Sequence, residues 1–291
     1  MKLARFRDPE GRERVGMVVA GGIVDVAKHL DHNDTLGIVD IIESWDTYRP
    51  QLERIAAQPA DFTLEAVQLL APIPRPGKIL GIGLNYADHV AESGMPKPDN
   101  QVWFAKMPTA TNAPMGSIEL PTVSEQLDYE AELAFVIGKR CRHVSRSEAA
   151  GVIFGYCAAN DVSVRDWQLS TSQFMLGKSF DTHAPFGPWL VTSDEVGDPH
   201  ALDIICRVNG EVRQHSNTKH LVFDCYDQIE HLSHVMTLEP GDVILTGTPG
   251  GVGAGFKPPR WLRVGDVVEV EIERIGSLRH TVVRETLESI T

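Results

Sequence analysis

Residues 127–137 read LDYEAELAFVI, and this stretch constrains the fold more than any other part of the sequence. Successive side chains of a strand point to opposite faces, so one face of this strand is apolar or aromatic throughout: Leu127, Tyr129, Ala131, Leu133, Phe135 and Ile137. The other face begins acidic and then turns apolar: Asp128, Glu130, Glu132, Ala134 and Val136. The pattern predicts a strand that is buried on both faces and whose carboxylates emerge toward a cleft.

Glu130 and Glu132 form the first candidate site. They are two residues apart, about 6.6 Å along a strand, so both side chains can reach one cation between them. Two buried like charges need such a partner, because burial penalises each ionised carboxylate. A solvated strand face that carries acids is the alternative, and an isolated Glu-x-Glu leaves it open.

The composition limits the classes of partner. The chain has 291 residues and a formal net charge of -13, which argues against non-specific binding to nucleic acid or to an anionic membrane. Small molecules and metal ions remain. Four scattered cysteines form no C-x-x-C pair and predict packed, reduced thiols. Without a signal peptide or a membrane-spanning apolar run, a cytoplasmic protein is expected.

Two domains are predicted. Residues 1–70 form a small N-terminal α+β domain, with short antiparallel strands followed by a helical pattern at about 35–57 that Pro50 interrupts. A Pro-rich joint begins at residue 71 and opens the second domain, 71–291. Beyond it, many short strands separated by Pro and Gly predict a β-rich roll or sandwich of the α+β class.

A third acid, Asp161, follows an apolar run at 152–159. If a helical turn begins there, Arg165 at i+4 and Gln168 at i+7 share its face. An acid, a planar cation and an amide on one face can hold a metal and grip a substrate carboxylate. The alternative is a helix cap, in which Asp161 simply pairs with Arg165.

Three further groups are candidates for chemistry. Lys178 is the only Lys or Arg between Arg165 and Arg207, and beside carboxylates and a divalent ion it can stabilise a developing enolate. His89 and Glu92, spaced i,i+3, form a potential water-activating pair or a plain surface ion pair.

The glycine-rich loop, residues 246–255, follows a predicted strand. No Gly-Lys-Ser/Thr ends it, so it is not a Walker-type phosphate loop. Its backbone N–H groups, including that of Gly247, and the Thr248 hydroxyl can receive a substrate oxyanion or carboxylate. A plain hairpin loop is the alternative.

Five motifs, in order, resemble the fumarylacetoacetate hydrolase family. They are NYADHxxE at 85–92, DYEAEL at 128–133, NDVSVRDWQ at 160–168, GKSFD at 177–181 and TGTP at 246–249. The resemblance runs from about residue 72 to the C-terminus, and the first 70 residues match the family's bacterial members more weakly. Among these are acylpyruvate hydrolase-like and 2-hydroxyhepta-2,4-diene-1,7-dioate isomerase-like members.

The resemblance implies a β-roll catalytic domain, usually a homodimer, with one Mg²⁺ or Mn²⁺ per subunit. The positions that match the family's metal ligands are Glu130, Glu132 and Asp161, and oxygen-only ligands suit such hard cations. The positions expected to contact substrate or its enolate are Arg165, Gln168 and Lys178. The segment with His89 and Glu92 matches a mobile lid that orders over bound substrate.

The leading hypothesis is a metal-dependent hydrolase that cleaves a C–C bond of an acylpyruvate-type 2,4-dioxo acid. A water activated by Glu92 with His89 attacks the 4-carbonyl, and the pyruvate enolate that leaves is stabilised by the metal and Lys178. Decarboxylation of oxaloacetate-like acids and isomerisation of 2-hydroxy-dienoates pass through a similar enolate and remain alternatives. A non-catalytic module that binds a metal or ligand is a further alternative.

Overall fold

The computed structural model describes residues 1–30, 36–94, 96 and 98–286. Within these residues the strands are β1 (Lys2–Arg7), β2 (Glu13–Val19), β3 (Gly22–Asp25), β4 (Gln68–Leu70), β5 (Ile79–Gly83), β6 (Val102–Lys106), β7 (Thr111–Asn112), β8 (Ile118–Leu120), β9 (Leu127–Asp128), β10 (Ala131–Ile137), β11 (Ile153–Asn160), β12 (Ser163–Val164), β13 (Ala184–Thr192), β14 (Asp203–Val208), β15 (Glu211–Asn217), β16 (Val243–Leu245), β17 (Val267–Ile272) and β18 (Gly276–Arg284). The α-helices are α1 (Val26–His29), α2 (Ile38–Glu43), α3 (Trp45–Ile55), α4 (Ala87–Ser93), α5 (Arg165–Gln168), α6 (Met175–Lys178), α7 (Ser193–Val196) and α8 (Cys225–Val235). None of these helices combines the length and the apolar character that crossing a membrane requires.

Two large sheets form the body of the molecule. An eleven-stranded sheet runs in the order β3-β2-β1-β13-β11-β10-β16-β5-β6, with β4 added beside β1 and β7 beside β13. A five-stranded sheet runs in the order β15-β14-β17-β18-β8. Most pairs are antiparallel, and β16 with β5 is one of the parallel exceptions. The predicted strand-rich α+β class is confirmed.

Strand β10 lies between two hydrophobic cores, as its sequence pattern predicts. The side chains of Leu133 and Phe135 belong to the core shared with the five-stranded sheet and α8. On the opposite face, Ala134 and Val136 join the core that the N-terminal helices cover. The strand is therefore buried on both sides.

The predicted single strand at 127–137 is interrupted in the structure. Leu127 and Asp128 form β9 and pair with β12, whereas β10 begins only at Ala131 and pairs with β11 and β16. Tyr129 and Glu130 lie between the two strands. The interruption arises because each segment has a different partner strand, which local alternation does not reveal.

The N-terminal strands are continuous with the main sheet. β1 pairs with β13, so Lys2 lies opposite Val191 and Leu3 opposite Leu190. The three short strands predicted for this region are present as β1, β2 and β3. The domain boundary at residue 70 stays a prediction.

The predicted interruption of the N-terminal helix at Pro50 is wrong. Pro50 lies inside α3, and the break falls at Ser44, whose φ of -108° and ψ of 33° separate α2 from α3. Pro50 removes the hydrogen bond to the carbonyl of Asp46, but that residue is exposed, so water can take the place of the missing N–H. The start of the predicted pattern, Thr35, lies outside the described residues.

The four cysteines are free thiols, as predicted. Cys157, Cys206 and Cys225 are buried, and Cys141 is partly exposed. Burial raises the pKa of the Cys157 thiol to about 12, which keeps it protonated and unreactive at neutral pH.

Candidate active site

The three predicted metal-ligating carboxylates meet where β10 begins and β11 ends. Ala131 pairs with Asn160, and the backbone N–H of Asp161 donates to the carbonyl of Glu130 at 2.8 Å. Glu130, Glu132 and Asp161 are all buried and offer carboxylate oxygens that lie within 4.8 Å of one another. The antiparallel register therefore brings Asp161 close to Glu132, which lies 29 positions earlier in the sequence.

Lys178 bridges two of these carboxylates. Its Nζ donates to Glu130 Oε2 and to Asp161 Oδ2, both at 2.7 Å, and the lysine is only 2% exposed. Burial alone would raise the pKa of Glu130, but the charges of Lys178 and Arg165 outweigh burial and lower this pKa. Burial likewise opposes the charge on Lys178, yet the two carboxylates raise its pKa. Lys178 is thus a cation at the centre of the cluster.

Glu132 differs from the other two carboxylates. Its partner is the backbone N–H of Gly247, which donates to Oε2 at 2.6 Å. Among the described residues no Lys or Arg forms an ion pair with it, although it is 1% exposed. Burial, followed by the charges of Asp161 and Glu130, raises the pKa of Glu132 well above its usual value. A buried carboxylate in this position lacks a positive partner.

The donor set fits a divalent cation. Four buried carboxylates, those of Asp128, Glu130, Glu132 and Asp161, face three buried cations, Lys106, Arg165 and Lys178. With all seven groups ionised, one negative charge is uncompensated, and a divalent ion beside Glu132 would turn the balance into a single positive charge. Oxygen-only ligands favour Mg²⁺ or Mn²⁺ over the softer metals. The three clustered carboxylates would hold the ion.

Arg165 is placed differently from its prediction. Asp161 is not on the same helix, because the chain forms β12 between Asp161 and α5, which begins at Arg165. The shared helical face and the Asp161–Arg165 pair are therefore both wrong. Arg165 instead donates from Nε to Asp128 Oδ2 at 2.8 Å and from Nη1 to Glu130 Oε1 at 2.6 Å. Its Nη2 lies 2.7 Å from Asp128 Oδ2 but is not aligned for a hydrogen bond.

Gln168 is buried beside Arg165. Its Oε1 accepts from Arg165 Nη1 at 2.9 Å. Helix α6 packs directly on this residue, since a Cβ on Gly177 would lie 2.2 Å from the backbone nitrogen of Gln168. Only glycine allows this approach, which sets Lys178 next to the carboxylates. Contacts of Arg165 and Gln168 with substrate stay a prediction.

Sequence reasoning missed the roles of two residues. Lys106, at the end of β6, is 1% exposed and donates to Asp161 Oδ1 at 2.5 Å and to the carbonyl of Val162 at 3.1 Å. The signal in the sequence was that Lys106 lies on the same face of the strand as the apolar residue Phe104. Asp128 accepts from Arg165 and also from the backbone N–H groups of Gly253 and Ala254, at 2.7 and 3.0 Å.

His89 and Glu92 lie on α4, as the i,i+3 spacing predicts. His89 Nδ1 is 3.4 Å from Glu92 Oε2, and the Gly251 N–H donates to both Glu92 oxygens at 3.1 and 3.0 Å. Burial alone would raise the pKa of Glu92, but the bonds from His89 and Gly251 lower it. His89 is near enough to Glu130 to help lower the pKa of that carboxyl. An ionised Glu92 thus engages Nδ1 of His89.

The glycine-rich loop mainly binds groups of the protein itself. Besides the Gly247 contact with Glu132, the Thr248 hydroxyl donates to the carbonyl of Ala131 at 2.9 Å and accepts from Gln214 Nε2 at 2.8 Å. Thr248 is buried. The predicted substrate contacts of Gly247 and Thr248 stay predictions, and the observed role of both residues is to support the carboxylate strand.

Comparison with known proteins places the site among enzymes. Residues 78–283 match the model of the fumarylacetoacetate (FAA) hydrolase C-terminal domain. Oxaloacetate tautomerase Fahd2a, mitochondrial, from Rattus norvegicus is 42% identical over 288 residues, which cover 97% of this chain and 92% of that protein.

Two solved structures share the fold over nearly all of both chains. Maleylpyruvate hydrolase from Sphingobium sp. SYK-6, in complex with manganese(II) ion and pyruvate, is 34% identical with a TM-score of 0.84, covering 98% of this chain and all of that one. The 2-hydroxyhepta-2,4-diene-1,7-dioate isomerase from Mycobacterium marinum is 34% identical with a TM-score of 0.76, covering 99% of this chain and all of that one.

Proposed function

Because the chain belongs to the fumarylacetoacetate hydrolase family, we propose that it enolises small 2-oxo acids at the buried carboxylate cluster. The first substrate class is an oxaloacetate-type acid, whose keto and enol forms it interconverts. The observation that carries this proposal is Lys178, a buried cation held between Glu130 and Asp161 beside the uncompensated Glu132. The similarity to an oxaloacetate tautomerase over 97% of the chain supports the choice of acid.

The cofactor proposed is one Mg²⁺ or Mn²⁺, held by Glu130, Glu132 and Asp161. When bound, such an ion polarises the 2-oxo group of the substrate as a Lewis acid. The manganese(II) in the maleylpyruvate hydrolase structure supports this class of ion. The net charge of the loaded cluster, one positive, suits an anionic 2-oxo acid.

The side chains of this protein divide the remaining work. Lys178 provides a positive charge for the oxygen on which negative charge develops as the substrate enolises. His89 is the proton acceptor, because Glu92 engages Nδ1 and leaves Nε2 to take a proton from the carbon next to the oxo group. Glu92 stays ionised and stabilises the imidazolium that results.

Hydrolysis of an acylpyruvate is the second candidate, because the His89–Glu92 pair can serve this reaction as well. The same imidazole can take a proton from water instead of from carbon, and that water then attacks the 4-carbonyl. Cleavage of the C3–C4 bond passes its electron pair to a pyruvate enolate, which Lys178 is placed to stabilise. The maleylpyruvate hydrolase neighbour supports this class of substrate.

The proposal is tested with purified protein and Mg²⁺ or Mn²⁺. We expect the absorbance of enol-oxaloacetate to fall faster with the protein than in the same buffer without it. Chelator should abolish this acceleration, and Lys178→Met should reduce it strongly. Pyruvate formed from acetylpyruvate would identify hydrolysis, and pyruvate formed from oxaloacetate would identify decarboxylation. Rates equal to buffer with both substrates, in protein that binds the metal, would contradict the proposal.

Assembly and location are separate from the chemistry. We propose the homodimer that the family resemblance implies, which sedimentation of the purified protein can test. The cytoplasmic location stays a prediction.

A further inference from the structure

We propose that Asp88 and Ser216 form a clamp that positions the His89–Glu92 pair for proton transfer. The clamp is defined by these two side chains, which share a solvent-exposed hydrogen bond. Neither residue is placed to touch the reacting atoms, so both are positioning residues. The inference rests on the proposed function, because it concerns the residues that would move the proton.

The clamp joins α4 to a strand far away in the sequence. Ser216, on β15, donates from its hydroxyl to Asp88 Oδ2 at 2.7 Å. The other oxygen, Oδ1, accepts from the backbone N–H of Gly250 at 3.3 Å and from that of His89 at 2.8 Å. Asp88 therefore ties the first turn of α4 both to β15 and to the glycine-rich loop.

The glycine-rich loop also contacts Glu92, the second member of the His89–Glu92 pair. Glu92 sits against the Gly251 N–H, and a Cβ on Gly255 would come within 2.5 Å of its carboxylate carbon. The loop thus supplies a donor at one glycine and open space at another. Glu92 reaches this position only when α4 packs against the loop.

The base of α4 is anchored independently. Asn85 is fully buried, and its Nδ2 donates to the carbonyls of Thr246 and Phe223 at 2.7 and 2.9 Å. The preceding residue, Leu84, has a φ of 55°, a conformation that fixes the turn between β5 and α4. These contacts hold the start of the helix segment, so what remains to be set is the angle at which α4 lies on the loop.

Asp88 is the residue that sets this angle. A helix of seven residues is marginal by itself and takes its position from tertiary contacts. The N-cap residue of α4, Tyr86, makes no capping hydrogen bond from its side chain. The charge-assisted bond from Ser216 to Asp88 gives the first turn a contact outside the glycine-rich loop. Losing it would let His89 swing away from the cluster.

Ser216→Ala tests the clamp without changing α4 or the carboxylate cluster. We expect kcat for enolisation to fall about 10-fold or more, the scale of a misplaced catalytic group, while KM and metal affinity stay near wild type. Backbone amides of residues 87–92 should exchange hydrogen faster. Ser216→Thr keeps the hydroxyl and should restore both the rate and the slow exchange.

Two further variants sharpen the comparison. His215→Ala is the matched control, since this exposed neighbour on β15 points to the opposite face, and it should behave as wild type. Asp88→Ala should lose at least as much rate as Ser216→Ala, because it also removes the contact with the Gly250 N–H. The double variant should lose little more than Asp88→Ala alone, because Ser216 acts through Asp88.

The opposite results would overturn the clamp. They are a wild-type kcat in Ser216→Ala, a loss of rate with unchanged exchange at 87–92, a failure of Ser216→Thr to restore the rate, or additive losses in the double variant. A wild-type protein inactive on both oxaloacetate and acetylpyruvate would refute the proposed function instead. In that case faster exchange of α4 in Ser216→Ala would still support the clamp, and unchanged exchange would overturn it.

Discussion

At the scale of single residues, Glu132 is the most informative side chain. Glu130 and Asp161 are neutralised by Lys178, and Asp161 also by Lys106, whereas the partner that Glu132 has within the described part of the chain is the backbone N–H of Gly247. Its raised pKa expresses the cost of an unpaired buried charge. Because of this imbalance, replacing Glu132 by a neutral residue should weaken metal binding without reducing the stability of the metal-free protein.

The variant Glu132→Gln tests that imbalance. We expect its affinity for Mg²⁺ and Mn²⁺ to fall about 100-fold or more, because an amide is a weaker ligand than a carboxylate. In chelator its free energy of unfolding should equal or exceed that of wild type, since a neutral side chain replaces an unpaired acid. Titration calorimetry and urea unfolding measure the two quantities.

Asp161→Asn is the control for this experiment. It should lose metal affinity and also stability, by about 3–5 kcal/mol, because Lys106 would lose its paired carboxylate and Lys178 would lose one of its two. Wild-type metal affinity in Glu132→Gln would contradict the role given to this residue.

At the scale of elements, α4 and the glycine-rich loop form one unit. Gly255 has no side chain, and the carboxylate of Glu92 occupies the space beside it. In Gly255→Ala we expect Glu92 to move, because the new Cβ would lie 2.5 Å from its Oε1. Since the displaced group is the end of a flexible side chain, thermal stability and metal affinity should stay unchanged while kcat falls about 10-fold or more.

Gly151→Ala is the matched control for Gly255→Ala. A Cβ at Gly151 would meet no heavy atom within 4 Å, so this variant should keep the wild-type kcat. Steady-state kinetics and a thermal melt on the three proteins give the comparison. A Gly255→Ala enzyme with wild-type kcat would show that Glu92 does not need its observed position.

Several elements were predictable and others were not. The buried strand at 131–137 follows from alternation, because side-chain period and burial are local properties. The break between α2 and α3, which falls at Ser44 rather than at Pro50, and the strand β12 after Asp161 depend on packing partners instead. Propensity alone does not contain those partners.

At the scale of the whole molecule, two buried histidines make folding stability depend on pH. Burial lowers the pKa of His183 to about 3 and that of His280 to about 4, against an ordinary value of 6.5. The unfolded chain therefore binds protons that the folded protein does not. Their contribution to stability is complete above pH 6.5 and is lost as the pH falls below it.

Urea unfolding at pH 7 and pH 5 measures this dependence. Each histidine should cost about 2 kcal/mol of folding stability at pH 5, from 1.36 kcal/mol for each pH unit below its unfolded pKa. His183→Gln and His280→Gln should each reduce the difference between the free energies of unfolding at pH 7 and pH 5. The comparison with wild type cancels the contributions of the carboxylates. Equal differences in all three proteins would show that these imidazoles do not stay neutral.

The sequence by itself determined the strand-rich fold class, the family and the identity of the clustered acids. Alternation marks the strand and its acidic face, and ordered motifs carry the family, because both are properties of neighbouring residues. The family motifs also named Asp161 and Lys178 as members of the site.

Only the tertiary structure decided which side chains neutralise one another. It placed Lys106 on Asp161, moved Arg165 from its predicted partner Asp161 to Asp128, and joined Asp88 to Ser216. These pairs are separated by 55, 37 and 128 residues. The physical reason is that such contacts depend on strand order and register, and these are set by the burial of whole sheets against two cores.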